Sequence, residues 1–299
     1  MAQSMYLFII NPKSGTTDKS ELESIIESTC YKYNREYTIY TTTGENDHEK
    51  VKDQVTKYQP KAVVACGGDG TVNLVARVLL DTGIELGIIP LGSANGLASE
   101  LEIPEDVEES LEIIFEGQAN PTDVVVINKE HISLHLSDVG FNAKMIKDFE
   151  ESGDRGKLAY ARSFFNSLRD KQSTFFTVEL NSKSFEVEAE MIVFANASSY
   201  GTGAIINPDS SMSDGKFEIV VFKPIPFGEL VSLTFSSFFG DVNNSEFVDI
   251  YKTDHAKILC HTNELLQIDG ELKGDVKEVE VDIKKGAIQV IMPLRHSLY

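Results

Sequence analysis

The densest chemical signal in the sequence is Gly67-Gly68-Asp69-Gly70-Thr71. It stands directly after the apolar run Ala62-Val63-Val64-Ala65-Cys66 and before a helical pattern that begins at Val72-Asn73. Glycine lets backbone N–H groups approach an anion closely, and a helix start adds partial positive charge, so the pattern predicts a phosphate-binding turn. A plain strand-to-helix turn capped by Asp69 or Thr71 is the simpler reading, and it needs only one or two glycines. Other chemistries find less support. His131 and His135 alternate along a strand-like run, and His48, His255, His261 and His296 stand apart, so satisfied or solvated histidines are expected rather than a metal cluster. No serine lies in a GxSxG elbow. Cys30, Cys66 and Cys260 are too scattered for a disulfide framework or CxxC metal pairs, and Cys66 is expected to be buried and inert.

A phosphate turn needs strands and helices to hold it. Short apolar runs alternate with helical spacings from the start: Met5 to Ile10, then Leu22, Ile25 and Ile26, then Tyr37 to Tyr40, then Val51 and Val55. The continuous run at 62–66 fits a parallel strand covered on both faces, and a helix over Val72 to Leu80 and a strand over Leu86 to Ile89 complete βαβ units. Residues 1–120 therefore read as a doubly wound α/β domain with its ligand at the carboxyl ends of the strands. From residue 121 to 299 strand-like runs follow one another: Val124 to Asn128, Ile132 to Leu136, Phe175 to Leu180, Ser184 to Phe194, Phe217 to Phe222, Ala256 to Cys260, Val276 to Ile283 and Ala287 to Met292. This half reads as a mainly β domain, a β-sandwich, whose last strand could return to the first half. One helix is expected over Lys157 to Arg169, with Phe164, Phe165 and Leu168 in the core. Phe227, Leu230, Leu233 and Phe235 likewise favour core.

Composition narrows the partners. The 299 residues suffice for one large or two ordinary domains. Forty-seven acidic against 27 basic residues give a net charge of -20, which opposes nucleic acid and anionic lipid surfaces in bulk while allowing one headgroup in a cleft. The opening MAQSMYLFII has no basic n-region, and its apolar run ends at Asn11-Pro12, too short for a signal peptide. The apolar stretch from Phe222 to Phe239 is broken by Lys223, Pro224, Pro226, Gly228 and Glu229, which argues against a membrane span and for a buried helix. A cytoplasmic protein is expected.

GGDGT resembles the nucleotide-binding motif shared by diacylglycerol kinases, sphingosine kinases, NAD kinases and 6-phosphofructokinases. Asn11-Pro12-Lys13-Ser14-Gly15 is similar to the NPxSG segment of the lipid-kinase branch, and Pro90-Leu91-Gly92-Ser93-Ala94-Asn95-Gly96 to its PxGTxND segment. Val139-Gly140-Phe141, Ala195-Asn196, Asp214-Gly215 and Asp269-Gly270-Glu271 extend the resemblance over nearly the whole chain, to the bacterial soluble lipid kinases with a diacylglycerol-kinase catalytic domain. Ser93 replaces the usual Thr, and Gly96 stands where bacterial diacylglycerol kinases usually have Asp, a flavour nearer the GSGNALA of sphingosine and ceramide kinases.

The resemblance implies a magnesium-dependent kinase that moves the γ-phosphoryl group of ATP to a lipid hydroxyl, with diacylglycerol as the leading acceptor and a cleft between the halves to receive it. Asn11, Ser14, Thr42, Gly67, Gly68, Asp69, Gly70, Thr71, Ser93 and Asn95 are the implied nucleotide contacts, with Thr41 and Thr43 as alternatives to Thr42. A structural turn for Asn11 and Ser14, and helix capping for Ser93 or Asn95, are the plainer readings. Asp214 is the implied side-chain ligand of a magnesium, joined by the carbonyl oxygens of Ser211 and Lys216, against an Asp-Gly turn that needs no metal. Glu271 is the implied general base and Asp269 the fallback. The expected partners are the lipid, a transient peripheral membrane contact and, compatible with both, a second copy in a homo-oligomer. A sphingosine- or ceramide-type kinase, an NAD kinase and a non-catalytic nucleotide- or lipid-binding regulator are the rival readings.

Overall fold

Residue order in the first quarter of the chain alternates strand and helix because its apolar pattern alternates between continuous runs and helical spacing. The structure is a computed structural model that describes residues 4–15, 18–152, 172–181, 183–198, 210–226 and 245–294. The chain divides into two compact units, one of Met1–Thr122 with Gly286–Tyr299 and one of Asp123–Lys285.

In the first unit, β1 (Met5–Ile10) and β3 (Ala62–Gly67) are almost wholly buried, as expected of strands covered on both faces. Helix α1 (Lys19–Lys32) begins at Asp18, whose carboxylate accepts the Ser20 amide at 2.8 Å, and it turns Leu22, Ile26 and Cys30 inward. Then come β2 (Glu36–Thr41), α2 (Asp47–Tyr58) with Val51 and Val55 buried, α3 (Asp69–Leu79) and β4 (Glu85–Pro90). A short α4 (Gly96–Glu100) and α5 (Val107–Glu116), the latter capped by Asp106 on the Glu109 amide at 3.0 Å, follow. The strands run parallel in the order β2-β1-β3-β4, and Gln289 and Val290 pair parallel with Glu85 and Leu86. Strand order reverses between β1 and β3, and an open α/β sheet binds ligands outside the carboxyl ends of the strands at such a point. Asn11 follows β1 and Gly68 follows β3, so the two motifs flank it.

In the second unit the strands pair antiparallel. They are β5 (Gln118–Ile127, entering from the first unit), β6 (His131–Ser133), β7 (Leu136–Gly140), β8 (Thr174–Leu180), β9 (Lys183–Ala189), β10 (Met191–Ala195), β11 (Phe217–Phe222), β12 (Val248–Thr253), β13 (His255–Ile268) and β14 (Glu271–Met292). Helix α6 (Phe141–Ser152) follows β7 directly. One path runs β12-β11-β10-β7-β13-β14, while β8 pairs β13 and β9 pairs β8. A register shift between Leu259 and Glu264 lets one strand serve two neighbours: Ala256–Cys260 faces β8, and Leu266–Ile268 faces β7. Val139, Phe176, Phe194, Ile219, Ile258 and Val279 lie in the main buried cluster, and Leu136, Val193 and Val220 in another. The architecture is an α/β unit followed by a β-sandwich-like unit.

Several expectations need correction. The run Ser184 to Phe194 is two strands, because the chain changes partners at Glu190 from β8 to β7 and β11. The runs at 276–283 and 287–292 are one continuous strand. Helix α3 starts at Asp69 rather than Val72, with Gly68 at its N-cap. Strand β12 and helices α5 and α6 went unanticipated. His255 is not isolated: its Nδ1 lies 2.8 Å from Asp282, and Glu280 completes a cluster with them. The helix over 157–169, its three core residues and the residues at 227–235 lie outside the described residues.

Candidate active site

Three loops meet at the carboxyl ends of β1, β3 and β4. After β1, the Asn11 amide donates to the Cys66 carbonyl at 3.0 Å. The Asn11 side chain shapes its own turn by accepting the Lys13 amide at 3.0 Å, and its Nδ2 donates to the Thr71 hydroxyl at 3.3 Å. Gly15, at φ +69°, lies against Leu91: a Cβ there would come within 2.4 Å of the Leu91 carbonyl oxygen. Gly68 and Gly92 face each other, and a Cβ on Gly92 would lie 2.5 Å from the Gly68 Cα. Two backbones approach to a distance that only glycine permits.

Asn95 fixes the third loop. It is buried, takes φ +52°, accepts the Gly92 amide at 2.8 Å and donates to the Gly92 carbonyl at 2.9 Å. It therefore closes a turn instead of capping α4, where it makes no side-chain cap bond. Ser93 stands exposed at the tip of that turn. Asp69 likewise leaves its own helix uncapped and accepts the Leu97 amide of α4 at 3.4 Å. Helix α3 follows Gly68, which as a glycine offers no side-chain cap, and the Thr71 and Val72 amides turn to the Gly68 carbonyl at 2.9 and 3.1 Å. Cys66 beneath it is fully buried, and burial pushes its thiol well above the ordinary range, so it is inert.

The three consecutive threonines have different surroundings. The Thr42 amide donates to the Ile10 carbonyl at 2.9 Å, next to Asn11, and its hydroxyl reaches the same carbonyl at 3.4 Å. Thr43 is tied through its amide to Asp47 at 2.9 Å and receives Lys50 at 2.9 Å, while Thr41 ends β2. Ser14 is half-buried in the first loop, its amide on the Asn11 carbonyl at 3.2 Å. The structure thus gathers Asn11, Ser14, Thr42, Gly67 to Thr71, Ser93 and Asn95 around one switch point.

The remaining predicted residues belong to the second unit, on two separate turns. Asp269 and Gly270 take φ +48° and +87°, the left-handed pair of a two-residue hairpin between β13 and β14. The Asp269 carboxylate accepts the Ser133 hydroxyl at 2.7 Å and the amides of Leu134 and His135 at 2.9 and 3.1 Å, so both oxygens are engaged. Glu271 is the next residue and is exposed; Lys273 sits 2.9 Å from one oxygen, and the other makes no hydrogen bond among the described residues. Of the two carboxylates, Glu271 is the one that is exposed.

On the other turn, one Asp214 oxygen accepts the Lys216 amide at 3.0 Å and the other lies 2.6 Å from the Lys252 ammonium. Lys252 also reaches the buried Glu218 at 3.0 Å, and hydrogen bonding to Asp214 is the leading cause that pushes its pKa up. The Lys216 amide and the Lys252 ammonium thus engage the two Asp214 oxygens that the resemblance offers to a magnesium together with the carbonyls of Ser211 and Lys216. Sequence reasoning missed Lys252, which lies far along the chain, and Asp123, whose buried carboxylate accepts the Gly215 amide at 2.5 Å. An aspartate opening the apolar run Val124-Val125-Val126 was the available signal for the second.

Residues 5–127 match the diacylglycerol kinase catalytic domain, and residues 138–292 match the YegS C-terminal NAD kinase beta sandwich-like domain. The chain is similar to the diacylglycerol kinase of Bacillus subtilis (strain 168), 26% identical over 95% of each chain. It is also similar to the protein named Probable lipid kinase YegS-like of Yersinia pestis (strain Pestoides F), 26% identical over 85% of this chain and 86% of that one. The crystal structure of a diacylglycerol kinase from Bacillus anthracis str. Sterne shares the fold, with a TM-score of 0.74 over 97% of each chain at 18% identity.

Proposed function

The chain belongs to the lipid kinase family that joins a diacylglycerol kinase catalytic domain to a YegS-type β-sandwich domain, and on that premise we propose that it phosphorylates diacylglycerol with ATP. The observation that carries the nucleotide half of this reading is the contact of Gly68 with Gly92 at the sheet's switch point, beside the Asn11–Thr71 bond. The close approach of Gly68 to Gly92 brings two loops together at the start of α3, where backbone amides and a helix N-terminus suit a polyphosphate.

In this reading the loops of residues 11–15, 67–71 and 91–95 grip the ATP phosphates. Magnesium on those phosphates would neutralise the charge that builds up during transfer, and Asp69 is the carboxylate of the loop able to hold it. The γ-phosphorus–oxygen bond to ADP breaks as the lipid hydroxyl oxygen bonds to phosphorus, and Glu271 takes the hydroxyl proton. Positioning and backbone electrostatics supply most of the rate.

The test is radiolabelled ATP with magnesium, offered with diacylglycerol, sphingosine, ceramide, monoacylglycerol and NAD in parallel, followed by separation of organic and aqueous products. Label in phosphatidic acid is expected. Label in a sphingolipid or monoacylglycerol product would move the acceptor, label in NADP would replace the reading by an NAD kinase, and label in none would reduce the chain to a binder.

A further inference from the structure

The second unit holds one fully buried carboxylate that the mechanism above does not use. Asp138, on β7, lies between Val193 of β10 and Gln267 of β13 in the strand ladder and has no exposed surface. One oxygen accepts from Asn142 Nδ2 of α6 at 2.5 Å and from Gln267 Nε2. The other makes no hydrogen bond among the described residues. Burying a carboxylate with only neutral donors is costly, and such an arrangement in a strand interior calls for a reason.

Gln267 supplies one. Its Oε1 accepts the Gly270 amide at 2.7 Å, inside the turn that presents Glu271. Because that oxygen is committed to Gly270, the amide nitrogen must face Asp138, and only an acceptor can meet it there. The chain of contacts therefore runs from the start of α6 through Asp138 and Gln267 to the backbone of residue 270. We propose that Asp138 is a positioning residue that, through Gln267, holds the hairpin turn carrying Glu271 in its working geometry. The proposal rests on the reading of Glu271 as proton acceptor.

The brace is tied to pH. Burial is the largest cause that pushes the Asp138 carboxyl up, to about 7, and the Asn142 and Gln267 donors and the Ala143 amide oppose it without cancelling it. Among the described residues no charged partner offsets the burial. Lys144 of α6 is ion-paired to Glu264 of β13 at 3.0 Å, Lys147 is exposed, and β10 carries no titratable group. His255, Lys257, Cys260 and His261 lie on the stretch of β13 near β8, while His135 and Asp269 flank the network outside the β7–β13 pairing. The folded-state value lies above the ordinary one. This group's contribution to stability is therefore complete below the ordinary carboxylate range and is lost as pH rises through about 7, whereas the fully accepting carboxylate is the form present above it.

The experiment compares wild type, Asp138→Asn and Gln267→Leu from pH 5.5 to 8.5, reading amide hydrogen exchange of the peptide containing Gly270, kcat, the KM for ATP and Tm. Exchange over Ala256–Cys260 reports on folding. In the wild type, protection at Gly270 and kcat should rise together through about pH 7 while Tm falls. Asp138→Asn, whose one carbonyl oxygen can still accept both donors, should remove that titration from all three, while Gln267→Leu, which cuts the link to Gly270, should lower kcat about tenfold with the KM for ATP within about twofold, as expected when only positioning is lost. Gln267→Leu should lose protection at every pH. Unchanged exchange in both variants would overturn the relay and leave the role of Glu271 standing. Altered exchange with kcat untouched would overturn the catalytic reading of the turn and this proposal with it.

Discussion

The turn at residues 67–71 and the turn at residues 269–271 both place a glycine beside an acid, yet they are built by opposite means. The first is made by main chain: Gly68 packs on Gly92, Asn95 closes the facing loop on its own backbone, and no side chain caps the helix that follows. The second is made by side chains, with Asp269 accepting three donors from residues 133–135 and Gln267 holding the Gly270 amide. In the proposed reading a phosphate needs amides and room, and the first turn keeps Gly68 and Gly92 bare where they meet. A general base needs a carboxylate held at one angle, so the second recruits them. The glycine turn should consequently fail by steric intrusion, and the acidic turn by loss of charge or of bracing.

The sharpest form of this contrast is Glu271→Gln, which removes the proposed proton acceptor and leaves the turn intact. A fall of about 10²–10⁴ in kcat is expected, with ATP affinity nearly unchanged. Retention of wild-type turnover would refute the assignment. Gly92→Ala probes the other turn. Its methyl group would lie 2.5 Å from the Gly68 Cα, so the two loops must part. Displacement of the loops by about 1 Å should cost on the order of 10² in kcat/KM for ATP. Nucleotide titration checks it: affinity lost while the isolated fold keeps its Tm fits a loop effect, and normal affinity would show that the glycine contact is dispensable.

A middle-sized effect comes from Asp269→Asn. An amide offers one acceptor oxygen where the carboxylate uses two, and its nitrogen would face donors. One of the three bonds to Ser133, Leu134 and His135 must go, at a cost of roughly 1–3 kcal/mol for a buried donor left unpaired. Chemical denaturation measures that loss. A variant as stable as wild type would mean that the side-chain brace does not hold the turn.

These two means of construction also explain what could be read in advance. The main-chain turn was legible because its requirements act on neighbouring residues: Gly67 to Gly70 after a buried strand and before a helix name the geometry locally. Parallel strands followed from continuous apolar runs such as residues 62–66, whereas their order is set by pairings that the runs do not encode. The side-chain turn was legible only as Asp-Gly. Its partners lie 134 to 136 residues away in Ser133 to His135, and Asp138 reaches it through Gln267 across a strand pair, contacts that no local pattern encodes. Strand β12 escaped notice for a related reason. Val248–Thr253 pairs with one neighbour in the ordered path, its middle residues are only half-buried, and its charged residues dilute the alternation. Glu190 divides two strands because of where each pairs, and an apolar run alone cannot report that.

The smallest expected effect concerns the turn at Asp214, where a side chain again does what the family resemblance assigns to another agent. Lys252 sits 2.6 Å from Asp214 and 3.0 Å from the buried Glu218, so one ammonium neutralises both carboxylates. Without nucleotide, added magnesium should leave the wild-type Tm unchanged, because binding at the turn would have to expel that ammonium. Lys252→Met keeps the aliphatic stem and removes the charge, exposing the two acids to each other. The Tm should fall by about 2–4 °C for each 1 kcal/mol lost in a unit of this size. Magnesium should now restore part of the fall by binding only the folded form, which stabilises it by mass action. A wild-type Tm that rises with magnesium would return the site to the metal and make Lys252 its competitor. If the variant instead fell in Tm without responding to magnesium, the ammonium would be a structural tie at a turn with no latent affinity for a cation.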